Sequence, residues 1–205
     1  IENVDTIFTA DPEGREIEDG YVLVDGNEID DVGTSPYEGP DPDEVLDGRG
    51  KIMIPGLINT HHHVFQTLFR NFKEVNNAKL FTWLTELYDR WAKVDRRAIQ
   101  VSTAIGAAEL LLSGATTTSD HLYLFPEGKN DIFDAEVEAA KEVGIRFHPC
   151  RGSMSLSRED GGLPPKEVVQ TEEEILTEYD RVIEKFHDRS KFAMTRVALA
   201  PCSPF

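Results

Sequence analysis

From residue 51 onward, the sequence alternates short apolar or β-branched runs with longer helical stretches. The four runs are KIMIPGLINTHHH, ATTTSDHLY, IRFHPCRGS and TRVALAPCS, and helical patterns fill the stretches between them. This alternation is typical of α/β folds, in which buried parallel strands are connected through helices. Because a (β/α)₈ barrel has eight strands and about 250 residues, the pattern predicts the N-terminal half of a TIM-type barrel over residues 51–205, truncated after its fourth strand.

Residues 1–50 show a different pattern, without a helical period. Pieces rich in β-forming residues, such as NVDTIFTA and GYVLVDG, are separated by turn signals such as DPEG and GTSP. Strands of this length with turns between them indicate a small β unit ahead of the barrel half.

The chain is strongly acidic, with 38 acidic against 21 basic residues and a net charge of −17. This balance disfavours nucleic acid and anionic membrane surfaces as partners. The acids are spread along the chain, which is typical of a halophile-like acidic surface; a mesophilic protein with an acidic surface is the alternative. Two cysteines indicate a reducing cytoplasm,. No apolar run approaches the roughly 18 to 20 residues of a membrane span, so no span is predicted.

Polar side chains gather at the C-terminal ends of the predicted strands. They are His61 to His63, Asp120 and His121, Arg151 and Ser153, and Cys202 and Ser203. In α/β folds the carboxyl ends of the strands form the edge where catalysis takes place. The sequence therefore predicts one functional rim.

The histidine run is the most specific feature of that rim. Side chains alternate along a strand, so His61 and His63 are expected to point to one side and His62 to the other. Two imidazoles about 6 to 7 Å apart can bind one metal ion. An accidental run of histidines is the alternative, but its place at the end of an apolar strand favours a metal site at His61 and His63.

The segment IPGLINTHHHVFQTLFRN resembles the amidohydrolase superfamily signature, in which an HxH motif ends the first barrel strand. The resemblance covers essentially all 205 residues, and it implies that residues 1–50 are part of a β-sandwich shared with a C-terminal segment. Further segments, including GATTTSDHLYLFPEG and FAMTRVALAPCSPF, resemble the branch of 8-oxoguanine deaminases and hydroxyatrazine hydrolases, with guanine deaminases as neighbours.

The resemblance implies hydrolytic deamination of a small heterocycle with one Zn²⁺ per complete chain, or iron in some members. A metal-bound hydroxide would attack the ring and a carboxylate would move protons until ammonia leaves. The family's other ligands and its proton-transferring carboxylate are expected beyond Phe205, so no catalytic residue is assigned here and the chain alone is expected to be inactive. Members are commonly homo-oligomers.

Three other readings stay open. Guanine deaminase and s-triazine aminohydrolase would use the same metal site on another substrate. A non-catalytic metal-binding module is the third, if the chain truly ends at Phe205. Guanine deaminases carry a guanine-reading arginine in the region where this chain has APCSPF. That departure favours the 8-oxoguanine branch.

Three candidate substrate-binding residues have a structural alternative. Gln66 matches a family glutamine that hydrogen-bonds the substrate ring, but it could instead bond the nearby backbone. Trp83 could stack on a heterocycle or pack in the core. His121 could orient a ligand or form a structural pair with Asp120.

Two further candidates lie at the ends of the third and fourth strands. Arg151 could meet a substrate carbonyl or hold a loop. Cys202 is expected to form a neutral wall of the substrate pocket, because no basic partner that would make it a nucleophile is evident.

Overall fold

The computed structural model describes residues 1–202, so Ser203 lies outside the described part of the chain. The chain divides into two compact units, of which the first is Ile1–Gly56 and the second begins at Leu57. This division falls later than the boundary that the sequence predicts after residue 50. The two units are described separately.

The first unit is a mostly antiparallel sheet. Its strands are β1 (Val4–Phe8), β2 (Glu16–Asp25), β3 (Glu28–Thr34) and β4 (Ile52–Met53), in the order β3-β2-β1-β4. β1 and β2 pair antiparallel, as do β2 and β3, whereas β4 pairs parallel to β1. Val4, Ile7 and Val22 form its small buried cluster. The described residues form one sheet here, and a second sandwich layer is not confirmed.

The second unit is an all-parallel sheet with helices between its strands. The strands are β5 (Leu57–Asn59), β6 (Ala115–Leu122), β7 (Arg146–Ser153) and β8 (Ala198–Pro201), in the order β5-β6-β7-β8. The helices are α1 (Leu80–Trp91), α2 (Arg96–Leu112), α3 (Asp131–Val143) and α4 (Glu172–Phe186). The sheet is curled like half of a barrel, which confirms the predicted α/β half-barrel.

The predicted single strand from Lys51 to the histidines is wrong in one respect. The chain forms two short strands, β4 and β5, which pair in different sheets. Pro55 and Gly56 separate them, and proline has no N–H for a ladder,. Neither strand is buried, since Ile52 and Ile58 are each 68% exposed.

Local signals in the sequence explain where the helices begin and end. Asp95 caps α2 by accepting a hydrogen bond from the Ala98 N–H, as its position predicts,. Gly144 ends α3 with a φ of 87°, a left-handed conformation that glycine adopts without strain,. At the start of α4, Thr171 and Glu174 form a reciprocal capping box,.

The core of the second unit lies between the sheet and the helices. Trp91 of α1, Leu122 of β6 and Phe133 of α3 belong to one cluster and are at most 1% exposed. A short 3₁₀ segment, Val64–Phe69, follows the histidines and buries Val64 and Phe65. No helix within residues 1–202 is long and apolar enough to cross a membrane.

We expect Thr171→Ala to lower the free energy of unfolding by about 1 kcal/mol, because the Glu174 N–H loses its cap. Urea-induced unfolding followed by circular dichroism measures the change. Thr171→Ser, which keeps the hydroxyl, should stay close to wild type. Equal losses in both variants would contradict a capping role.

Candidate metal centre and adjoining cavity

Three histidines follow β5 and lead into the 3₁₀ segment Val64–Phe69. The rings of His61 and His63 are neighbours, with centroids 5.0 Å apart and planes 89° apart. His62 lies against Asp120 instead, with its Nδ1 3.8 Å from the Asp120 Oδ1. The pairing of the first and third rings is the arrangement that could hold one metal ion between them.

His63 is held in the form that a metal ligand needs. Its Nδ1 lies 2.8 Å from the backbone carbonyl oxygen of His121, so Nδ1 carries the hydrogen and donates it. Nε2 is then the free lone pair, and a carbonyl partner on the other nitrogen is the usual second interaction of a zinc-bound histidine. Burial lowers the pKa of His63, which favours the neutral imidazole,.

The carboxyl end of β6 fixes the backbone of the histidine segment. The His121 N–H donates to the His62 carbonyl oxygen at 2.9 Å. One residue earlier, the Asp120 Oδ1 accepts from the Val64 N–H at 2.6 Å. Together with the His63–His121 bond, these contacts hold three successive residues of the segment from two residues of β6.

His121 also reaches across the sheet. Its Nε2 lies 2.8 Å from the Ala200 carbonyl oxygen on β8, and the strand between them is β7. Gly152 of β7 leaves the room, since a Cβ there would lie 2.6 Å from the His121 Nε2. The His121 ring thus bonds to the sheet backbone, and the His121 backbone bonds to the histidine segment. These contacts support a structural role for His121, with Ala200 rather than Asp120 as the partner of its ring.

A cavity of about 450 Å³ lies beside the histidines. Its walls combine neutral amides and aromatic rings: Gln66, Asn71, Asn76 and Asn77 with Phe69, Phe72 and Trp83. His62 and His63 also border it. The expectation that His61 and His63 face one cavity while His62 points away is not met for this cavity, whose wall includes His62 and His63 but not His61. β5 ends at Asn59, so strict strand alternation stops before the histidines.

Gln66 lies in this cavity and touches a residue that sequence reasoning missed. Its Nε2 donates to the Tyr123 hydroxyl at 3.4 Å. The Tyr123 ring also packs on His63 and His121, with centroids 5.3 Å and 5.2 Å away. Burial raises the pKa of Tyr123, so its hydroxyl stays protonated. Strand alternation could have identified it, since Tyr123 follows His121 by two positions.

Trp83 borders the cavity and packs in the core at the same time. Its ring meets Trp91 edge-to-face at a centroid distance of 5.1 Å. Trp83 is half-buried, so part of its surface remains open to the cavity. Both of its predicted roles are compatible with this position.

The structure does not bring Arg151 to the cavity. Its side chain is fully buried, with the guanidinium carbon 3.4 Å from the centre of the Phe125 ring. It donates to the Gly152 carbonyl oxygen and, at 2.7 Å, to the Gln170 Oε1. Burial lowers the pKa of Arg151 to about 10. This environment supports packing rather than contact with a substrate.

Cys202 is half-buried just after β8 and packs against the core. Its backbone N–H donates to the Ser153 carbonyl oxygen at 3.1 Å. Burial is the main reason that the pKa of Tyr88 rises to about 12 and that the pKa of Tyr123 is raised, and the nearby Cys202 raises both pKa values further. This position is compatible with the predicted neutral wall.

The described residues offer two ligands to a metal. Within residues 1–202, no group of three or more histidine, cysteine or acidic residues is arranged to bind an ion. His61 and His63 fit the HxH part of a zinc site, by residue type, ring proximity and the fixed tautomer of His63. Zinc sites normally use three or four protein ligands.

Comparison with known proteins identifies the family. Residues 52–205 match the Amidohydrolase family. The chain belongs to this family. Over all 205 residues it is 42% identical to 8-oxoguanine deaminase of Pseudomonas aeruginosa, of which it covers 45%. Over 164 residues, or 78% of the chain, it is 38% identical to hydroxydechloroatrazine ethylaminohydrolase of Pseudomonas sp. strain ADP, of which it covers 34%.

Solved structures agree with this assignment. Atrazine chlorohydrolase TrzN from Arthrobacter aurescens TC1, complexed with zinc, superimposes with a TM-score of 0.89 at 31% identity. The match covers 98% of this chain and 46% of TrzN. The amidohydrolase chain described here thus spans about half the length of the relatives it matches, which are deaminases, aminohydrolases and triazine hydrolases.

We expect Gly152→Ala to cost about 1 to 3 kcal/mol of stability, because the new Cβ would overlap His121 and Tyr123,. Thermal unfolding measures this loss. Gly106→Ala is the comparison: it lies inside α2, its nearest neighbour is 3.3 Å away, and it should change stability by less than about 1 kcal/mol,. A wild-type melting temperature for Gly152→Ala would contradict the close approach.

Proposed function

We propose that this chain is the metal-binding N-terminal part of a hydrolytic deaminase that acts on 8-oxoguanine and releases ammonia. The observation that carries the proposal is the His61–His63 pair, with the His63 Nε2 left free by the bond from Nδ1 to the His121 carbonyl oxygen. The 42% identity to 8-oxoguanine deaminase over the entire chain supports the choice of substrate.

In this proposal His61 and His63 bind one Zn²⁺ per complete chain, with iron as the alternative metal. The metal would supply a water of lowered pKa for attack on the ring carbon that carries the amine. The Gln66 amide can both donate and accept, as the edge of an oxidised purine requires. Trp83 lines the same cavity, and the Tyr123 ring packs against His63 beside it. The other metal ligands and the proton-transferring carboxylate would come from outside residues 1–205.

The half-barrel leaves two open edges that we expect further strands to cover. Within residues 1–202, β5 and β8 each pair with one neighbour. Apolar residues stand exposed on both strands: Leu57 at 54%, Ile58 at 68% and Leu199 at 42%. Unpaired parallel edges favour association, and closure of a barrel removes them. We propose the same completion for the first unit, as one layer of a β-sandwich.

We also propose that the complete protein is a homo-oligomer of the cytoplasm that takes a small heterocycle, rather than nucleic acid or a membrane, as its partner. The charge of −17 disfavours nucleic acid and anionic membranes, the two cysteines favour the cytoplasm, and the homo-oligomer rests on the family resemblance alone,.

A triazine hydrolase is the second candidate. The 38% identical relative is an aminohydrolase of hydroxydechloroatrazine, and a triazine hydrolase from Arthrobacter aurescens superimposes with a TM-score of 0.90. The amide-lined cavity would also accept a flat triazine.

We expect the complete protein to release ammonia from 8-oxoguanine faster than from guanine, adenine or an amino-substituted hydroxytriazine. A coupled ammonia assay that compares kcat/KM for the four compounds tests the proposal. Faster turnover of the triazine would favour the second candidate, and faster turnover of guanine would favour a guanine deaminase.

We expect His61→Ala and His63→Ala to remove bound zinc and activity together, because each deletes one of the two ligands that we assign among residues 1–202. Metal content by atomic emission and turnover are the two measurements. His148→Ala, at an exposed position on β7, is the matched control and should retain both. Full zinc content in both ligand variants would show that the site lies elsewhere.

We expect Gln66→Ala to cost about 1 to 3 kcal/mol of transition-state binding, through the loss of a buried polar partner for the substrate. This corresponds to a decrease of roughly 5- to 150-fold in kcat/KM. Gln100→Ala on α2, whose amide bonds to Arg97 on the surface, should leave kcat/KM unchanged. An unaltered value for Gln66→Ala would assign Gln66 a structural role, through its hydrogen bond to the Tyr123 hydroxyl.

A further inference from the structure

Two carboxyl groups lie in the core beneath the histidine segment. Asp120 of β6 and Glu136 of α3 are both 0% exposed, although aspartate and glutamate are rarely buried without a partner,. Within residues 1–202, no lysine or arginine forms an ion pair with either of them. His62 is the one basic neighbour, and its Nδ1 is 3.8 Å from the Asp120 Oδ1, beyond hydrogen-bond distance,.

The hydrogen bonds of these carboxyl groups are incomplete as long as both are ionised. The Asp120 Oδ1 accepts from the Val64 N–H, but the Asp120 Oδ2 and both Glu136 oxygens have no donor. The Glu136 carboxyl lies within hydrogen-bonding reach of Asp120. Two carboxylates can only accept, so a hydrogen bond between them requires one proton. A single shared proton satisfies an oxygen on each group and removes one buried charge.

Glu136 is the group that keeps this proton. Burial, followed by the negative charge of Asp120, raises the pKa of Glu136 well above its ordinary value. The Asp120 Oδ1 already accepts a short backbone hydrogen bond at 2.6 Å, which leaves Oδ2 as the oxygen open to a donor. The pair thus resembles other close carboxyl pairs, in which one proton is shared because both cannot ionise.

We propose that Glu136 is a positioning residue of the metal centre: its protonated carboxyl donates to Asp120 and thereby holds the Asp120 carboxylate on the Val64 amide. The Val64 amide follows His63 directly, so the pair sets the backbone from which His63 projects. The link to the metal rests on the proposed function. The shared proton and the hold on Val64 do not depend on it.

The shared proton is tested by infrared difference spectroscopy of the complete protein at neutral pH. A protonated carboxyl has its own C=O stretch, separate from that of carboxylates and amides. We expect this band in wild type and in Glu142→Gln, an exposed control on the same helix. It should disappear in Glu136→Gln. It should also disappear in Asp120→Asn, where an amide N–H becomes the donor and Glu136 can ionise. A band that survives Glu136→Gln, or no such band in wild type, would overturn the proposal.

The hold on the histidine segment is tested by hydrogen exchange of the Val64 amide. Glu136→Leu removes the donor, so we expect the exchange rate to rise about tenfold or more, as for the loss of one charge-assisted hydrogen bond. Glu136→Gln keeps an N–H donor on a side chain of the same length, so the Val64 amide should exchange as slowly as in wild type. If Glu136→Leu does not fold, Glu136→Asp serves in its place, since the shorter side chain cannot reach. Unchanged exchange in a folded variant without the donor would refute the positioning role.

The link to the metal is tested by titrating the metal-free protein with Co²⁺, whose visible spectrum reports ligand geometry. We expect Glu136→Leu to bind Co²⁺ about tenfold or more weakly, with an altered spectrum, and Glu136→Gln to match wild type. Equal binding by wild type and Glu136→Leu would overturn the effect on the metal centre. A wild-type protein that neither binds Co²⁺ nor deaminates would count against the proposed function alone, since the infrared and exchange measurements need no metal.

Discussion

The hydrogen bonds between the end of β6 and the histidine segment are the constraint on which the candidate site depends. β5 is only three residues long and two of its residues are exposed, so it cannot fix the chain that follows it. The segment is held from the neighbouring strand instead, by the backbone of His121 and the carboxylate of Asp120. A hydrogen bond to a charged group contributes about 1.5 to 3 kcal/mol, more than a neutral one. The Asp120–Val64 bond is therefore the strongest single tie between the histidine segment and the sheet.

The same end of β6 also ties the site to the far edge of the half-barrel. His121 donates to the Ala200 carbonyl oxygen across β7, and it can do so because Gly152 has no side chain. Three strands thus contribute to this hydrogen bond. β6 supplies the His121 imidazole, β8 supplies the Ala200 carbonyl oxygen, and β7 has a glycine, Gly152, where a side chain would block the contact. In a parallel sheet the carboxyl ends lie at one edge, and this is why residues far apart in the sequence meet there. The position of His63 consequently depends on contacts that extend to residue 200.

The sequence was sufficient to predict those features that follow from periodicity and local signals. The four parallel strands and the histidines at a strand end belong to this class, since each depends on residues near in sequence. Two features could not be read in this way. Arg151 follows the strand pattern but turns into the core, because its guanidinium stacks on Phe125, a residue of another segment. The sequence DAEVEAAKEVG gives no sign that Glu136 differs from the acidic residues of an exposed helix face, and only the packing of α3 against α2 and β7 shows that it is buried.

The charge balance of the cavity limits what it can bind. The one arginine in its wall, Arg70, already donates to both carboxylate oxygens of Glu109. Burial lowers the pKa values of His62 and His63, so both imidazoles tend to be neutral. The remaining polar groups in the wall are amides and a hydroxyl, which recognise hydrogen-bonding edges rather than net charge,. A neutral, flat heterocycle can pair with amides on its edge and rest its faces on Trp83 and the neighbouring rings. A phosphorylated nucleotide would find no unpaired side-chain cation in the described wall of this cavity, which agrees with the proposed heterocyclic substrate.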